Sequence, residues 1–235
     1  MSIVLILGSG PNVTRCRSWD RAGFDRIIAI NNAWSVRPDW DVLIHPEDFP
    51  TERRPVDIAS GQTIITAADY VPLQNTLGGF VYAGGTMVFT AAYWALAALR
   101  PRVIATLGCD MMYPSGAPTH FYGTGAADPL RNDISLRSLE AKSARLMVMA
   151  AMRDCALVNL SEDTSRLLFP RAQIDNVADA APAAFDQATA DAALTEESRL
   201  NYFVASGRYW DEADQFDPDA IDRLDALWLR SIQPD

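Results

Sequence analysis

Residues 3–12 read Ile3-Val4-Leu5-Ile6-Leu7-Gly8-Ser9-Gly10-Pro11-Asn12, an apolar run that ends in a glycine turn. Five apolar residues bounded by turn residues predict a strand buried on both faces, as in a parallel sheet. The turn at its carboxyl end predicts a bend whose backbone N–H groups point outward together and cradle an anion, with a nucleotide as the first candidate. Gly8 and Gly10 would take angles closed to other residues and let a ligand approach the main chain. Pro11 follows and no third glycine stands at the dinucleotide offset, so the NAD fingerprint is incomplete. A strand that only needs a tight exit reads the same way.

Apolar runs of this kind recur downstream. Strands are expected at residues 3–7, 26–30, 42–45, 63–66, 103–107 and 156–160, with helices near residues 13–21, 85–99 and 135–153. In the last of these, Leu136, Leu139, Leu146, Met147 and Ala150 recur at helical spacing and predict a face packed on the sheet. Strands alternating with helices predict an α/β fold, a mostly parallel sheet with helices on both faces. The 235 residues suffice for one main domain, placed at residues 1–171. Residues 111–133, rich in Pro, Gly, Tyr and His, leave the carboxyl end of a strand and predict a lid.

Charge is distributed unevenly. Residues 1–171 hold sixteen acids and sixteen bases, whereas residues 172–235 hold fourteen acids and four arginines and carry the whole net charge of −10. An acidic tail repels phosphate backbones and anionic lipid, which argues against nucleic acid and membrane partners. Its Ala/Asp-rich first part predicts a loosely packed linker or weakly anchored helix. Residues 219–232 predict an amphipathic helix with Ile221, Leu224, Leu227 and Trp228 on one face, docking on its own domain or on a second copy in a homo-oligomer. No apolar run approaches membrane-spanning length and the start lacks the features of a leader, so a cytoplasmic protein is expected. Cys16, Cys109 and Cys155 are widely spaced, with no Cys-x-x-Cys, and indicate neither a disulfide framework nor zinc. Lys142 is the only lysine, and there is no Walker-type nucleotide site.

Polar residues fall at the expected strand ends: Gly8, Ser9, Gly10 and Pro11; Asn31 and Asn32; His45; and Asp110. Gly84, Gly85 and Thr86 form a second glycine turn that opens an alanine-rich helix, where free N–H groups would meet an anion; Thr86 also suits an N-cap. Asn31 and Asn32 could donate and accept at a base or ribose, or shape a turn. Asp110 could bind ribose hydroxyls, help hold Mg²⁺, or cap its own loop. Of the two histidines, His120 lies in the lid and could deprotonate a hydroxyl, while His45 would orient a ligand. Tyr113 and Tyr122 could stabilise a departing phosphate, or simply close the lid.

In order and spacing, Ile6-Leu7-Gly8-Ser9-Gly10-Pro11-Asn12, Ile30-Asn31-Asn32-Ala33-Trp34, Ile44-His45-Pro46-Glu47, Gly84-Gly85-Thr86-Met87 and Leu107-Gly108-Cys109-Asp110-Met111-Met112-Tyr113 resemble the bacterial sialyltransferases of glycosyltransferase family 42. They are also similar to proteins related to 6-hydroxymethylpterin diphosphokinase. The first resemblance implies a Rossmann-like fold and a CMP-sugar held without a metal or other cofactor. It further implies inverting transfer to a hydroxyl acceptor by a lid histidine, with tyrosines on the phosphate. Carried across, Gly8, Ser9, Gly10, Asn31, Asn32, Gly84, Gly85 and Asp110 would line the nucleotide pocket, with His45 near the sugar. The family's His-Tyr-x-Gly-His is met here by His120-Phe121-Tyr122-Gly123-Thr124, so the expected base falls on Thr124 and the expected tyrosine on Phe121: either His120 and Tyr122 take over through a shifted loop, or the transfer chemistry is changed or lost. The second resemblance implies a Mg²⁺-dependent diphosphotransferase needing Asp110 and another acid such as Glu47 or Asp48 near the metal. A noncatalytic nucleotide-binding or assembly protein is the remaining alternative.

Overall fold

A computed structural model describes residues 2–124 and 131–232. Six strands form one all-parallel sheet: β1 (Ile3–Leu7), β2 (Arg26–Ile30), β3 (Val42–Ile44), β4 (Thr63–Ile65), β5 (Val103–Leu107) and β6 (Ala156–Asn159), in the order β4-β3-β2-β1-β5-β6. The chain starts at the centre, builds outward through β4, then crosses to the other side of β1. The switch point of this Rossmann-like sheet therefore lies between β1 and β5, where open α/β sheets leave a crevice at their carboxyl ends. β1 pairs in register with β2 (Leu7 with Ala29) and β5 (Leu7 with Leu107), which brings three strand ends to one level.

The two faces of the sheet are covered differently. Val4, Ile6, Ile28 and Ile104 face a core built with α1 (Ala67–Asn75), the single turn α2 (Phe80–Ala83), α3 (Met87–Ala98) and α4 (Leu139–Ala151). Leu5, Leu7, Ile27 and Leu43 face Val13, Cys16, Phe24, Trp40 and Val177, which sit on 3₁₀ turns and loops. The α-helix expected at residues 13–21 is thus a 3₁₀ helix, Pro11–Ser18. Only Val13 and Cys16 are buried in it, three residues apart, a spacing that suits 3.0 residues per turn. α1 was not foreseen; Pro72 inside it breaks the helical pattern, and a Thr66–Asp69 capping box starts it.

The C-terminal residues are not a loose appendage. α5 (Gln187–Leu200) packs on α6 (Pro218–Ser231), which packs on α4. Ala190 and Ala193 are fully buried in α5, so the low-complexity alanines are the close-packing face of a helix. Ile221, Leu224 and Trp228 are at most 1 % exposed within this one chain. These three side chains dock on the protein's own domain. α4 carries Lys142 and Arg145 fully buried, paired with Asp225 of α6 and Glu197 of α5. Among the described residues no helix is long and apolar enough to cross a membrane.

Candidate functional site

At the carboxyl edge of the sheet a cleft of about 750 Å³ opens over the β1–β5 switch point. Its floor is the turn after β1 (Gly8 to Asn12) and the end of β5 (Gly108 to Asp110). Asn31 and Asn32 form one wall, and Thr86, Met87 and Val88 at the start of α3 form another. Met111, Met112, Tyr113, His120 and Tyr122 close over it from the expected lid. That segment is described to residue 124 and again from 131; the part of the lid at residues 125–130 lies outside the described residues.

The glycine turn does not do what its sequence suggests. The Gly8 and Gly10 N–H groups donate to Leu107 and Gly108 carbonyls at 2.8 Å each, and so are spent on the chain itself. A Cβ on Gly8 would stand 2.3 Å from the Gly108 oxygen, and one on Gly10 2.8 Å from it. Neither glycine has positive φ. Both are required because β1 and β5 approach closely as they leave the sheet. The open amides lie instead at α3. Thr86 caps this helix by accepting from Phe89 N–H, and geometry leaves Met87 and Val88 N–H without intrahelical partners at the cleft wall. Together with the dipole they make that end of the cleft receptive to an anion. Arg53 adds a positive charge at the rim.

Three expected site residues lie elsewhere. Gly84, with φ of 91°, backs onto Phe89 and Lys142. Gly85 donates its N–H to Ser135 Oγ at 2.9 Å, and a Cβ there would meet the Tyr209 hydroxyl. Gly84 thus fits the start of α3 against α4 and Gly85 fits it against the tail, and neither lines the cleft. His45 is 1 % exposed, with Nδ1–H donated to the Pro46 carbonyl at 2.8 Å and its ring against Phe49. Phe49, not His45, reaches the cleft.

Asp110 lines the cleft but its carboxylate is occupied. It accepts from Asn12 Nδ2 at 2.8 Å and Asn159 Nδ2 at 2.9 Å, with Arg171 3.9 Å away. It ties the ends of β1, β5 and β6 together. Glu47 and Asp48 do not line the cleft, whereas Asp163 does, and it shares the Asn12 amide with Asp110. Among the described residues no three His, Cys, Asp or Glu side chains cluster as a metal site. Cys109 is buried in the wall, and burial pushes its thiol up, which suits packing.

His120 is half-buried and stacked on Tyr122, ring centroids 5.0 Å apart, with Tyr113 at 6.2 Å. Its backbone exchanges hydrogen bonds with Gly123, and the Phe121 N–H donates to the Ser9 carbonyl at 3.0 Å, which pins this part of the lid to the β1 turn. Burial lowers the imidazole's proton affinity below its ordinary value. A half-buried, neutral imidazole beside two phenols can take a proton from a hydroxyl group.

Sequence reasoning missed Asn12, Phe49, Arg53, Met87, Val88, Thr119, Asp163 and Thr164, which also line the cleft. All but Thr119 and Arg53 follow directly from the ligand rule for parallel sheets: each lies shortly beyond a strand's carboxyl end or in the first turn of α3, whereas Arg53 belongs to the 3₁₀ turn Thr51–Arg53 further along the loop after β3. Comparison of the chain with protein-family models, with curated proteins and with solved structures returned no match.

Proposed function

We propose that this protein binds a nucleotide sugar in the switch-point cleft and transfers its glycosyl group to a hydroxyl acceptor. One observation carries the reading: a single cavity of about 750 Å³ has the open N-terminus of α3 on one wall and His120 between two tyrosines on another. Such a volume accommodates a nucleotide with a second small molecule. The donor phosphate would lie against the Met87 and Val88 N–H groups. The acceptor oxygen attacks the donor's anomeric carbon as the bond from that carbon to the phosphate oxygen breaks. The electron pair of that bond leaves with the nucleotide, towards which Tyr113 and Tyr122 donate hydrogen bonds, and the acceptor's proton passes to His120. The resemblance to the family 42 sialyltransferases points to CMP as the nucleotide and a sialic-acid-like sugar.

Titration calorimetry with CMP and with ATP, each with and without Mg²⁺, tests this reading. Binding of CMP independent of Mg²⁺ supports it. Binding confined to ATP with Mg²⁺ replaces it with the diphosphotransferase, and no binding of either overturns the nucleotide site.

A further inference from the structure

The side chains of Thr119 and His120 meet although the two residues are sequence neighbours: Thr119 Oγ1 lies 2.8 Å from His120 Nδ1. Thr119 is buried, and the turn that carries both is fixed by the His120–Gly123 bridge and by Phe121 bonding to Ser9. The rest of the imidazole faces Tyr113 and Tyr122. Among the described residues, the charged groups on the other elements of the cleft are Arg53, Asp110 and Asp163. Both carboxylates are engaged by the Asn12 amide, and burial alone accounts for the direction in which His120 titrates. Among the described residues no carboxylate is bonded to this imidazole, and a threonine hydroxyl meets its Nδ1.

We propose that Thr119 is the positioning residue of His120: its Oγ1 accepts a hydrogen bond from Nδ1–H and so leaves the Nε2 lone pair facing the cleft. This rests on His120 being the base of the proposed transfer. A free neutral imidazole favours the proton on Nε2, where it blocks the nitrogen a substrate would reach, so the opposite tautomer needs a partner to hold it. A carboxylate would hold it and also raise its proton affinity; a hydroxyl holds it without adding charge. His120 then stays neutral at neutral pH. During transfer the acceptor's O–H proton moves to Nε2, the oxygen's electron pair forms the bond to the donor carbon as that carbon's bond to the phosphate oxygen breaks and its electron pair leaves with the nucleotide, and the imidazolium keeps Nδ1–H on Thr119.

Nitrogen-15 NMR of the imidazoles tests this in the protein without any substrate. The chain has only His45 and His120, so a His120→Gln variant assigns the signals. Above the titration of His120, the wild type is expected to show a protonated Nδ1 and a bare Nε2. Thr119→Val should move the proton to Nε2, and Thr119→Ser should return it. A wild-type His120 protonated on Nε2, or a tautomer unchanged in Thr119→Val, overturns the proposal. Should Thr119→Val fail to fold, the wild-type spectrum alone decides. Failure of the transferase reading would appear separately, as an absence of nucleotide binding in the calorimeter.

Discussion

The Tyr209 hydroxyl donates to Asp133 Oδ2 at 2.7 Å and thereby fastens the acidic tail to the root of the loop that covers the cleft. The same hydroxyl accepts from Arg131 Nη2 at 3.2 Å and lies 3.1 Å from Ser135 Oγ, which itself accepts the Gly85 N–H. Thr86, the cap of the helix whose open amides face the cleft, is the next residue. Hydrogen bonds from the tail thus reach Gly85, the residue before the cap of the anion-receptive end. Burial pushes the Tyr209 phenol up to about 12, so it is a donor at every working pH.

Tyr209→Phe keeps the packing on Phe80 and removes the hydrogen bonds. It leaves Asp133 short of a donor, at a cost of about 1–3 kcal/mol, which for a chain of this size lowers Tm by several degrees. Thermal unfolding checks the stability, and CMP affinity is expected to weaken alongside it. A variant that melts with the wild type would show that the tail does not brace the site.

Removing Glu197 should be more damaging. Its carboxylate holds Arg145 through two hydrogen bonds of 2.7 and 2.8 Å and accepts from Trp228 Nε1 at 2.9 Å. Arg145 also donates to Tyr93 and to the Leu77 carbonyl. Glu197→Ala strands a guanidinium that is 1 % exposed and is expected to cost about 3–5 kcal/mol in urea unfolding. Arg145→Met added to Glu197→Ala should recover part of that loss, because the uncompensated charge is gone. Equal instability of the single and double variants would place the cost in packing instead.

This ion pair also marks where sequence reading stopped. β1, β2 and β5 were legible because fully buried parallel strands read as unbroken apolar runs. α5 was not, because Ala190 and Ala193 look like low complexity until α6 lies against them, and Glu197 looks solvated until Arg145, 52 residues away, is brought to it. In the site, the strand-end rule named Ser9, Pro11, Asn31, Asn32 and Asp110, which the fold brings together around one cleft. It misjudged Gly84, Gly85 and His45 because a glycine that admits a ligand and one that admits another part of the chain are identical in sequence. Whether a histidine at a strand end turns inward is likewise decided by the neighbour it packs on, here Phe49.

That ambiguity makes the glycines testable. Gly8→Ala places a methyl group 2.3 Å from the Gly108 carbonyl oxygen, where backbone must move. A loss of about 1–3 kcal/mol is expected from forced repacking. Gly23→Ala meets nothing within 4 Å and should change stability by no more than about 1 kcal/mol, with stabilisation the expected direction. Chemical denaturation of the two variants side by side gives the comparison. A Gly8→Ala protein of full stability that loses only nucleotide affinity would restore the phosphate cradle to the β1 turn.

His120 should set the pH dependence of turnover. Its proton affinity is lowered by burial, so the free base predominates above a pH below the ordinary histidine value of about 6.5. Activity is expected to rise as pH increases through that point and to be flat through neutrality, and His120→Ala should reduce kcat by about 10²–10⁴-fold while CMP binding stays near wild type. Stability follows the same sign. The unfolded chain binds more protons at this residue than the folded chain between the folded value and about 6.5, so the His120 contribution to stability falls as pH drops through that window. His120→Ala should remove that part of the acid sensitivity and leave the rest. A pH–rate profile that ascends only above 7, or turnover unchanged in His120→Ala, would take the imidazole out of the reaction.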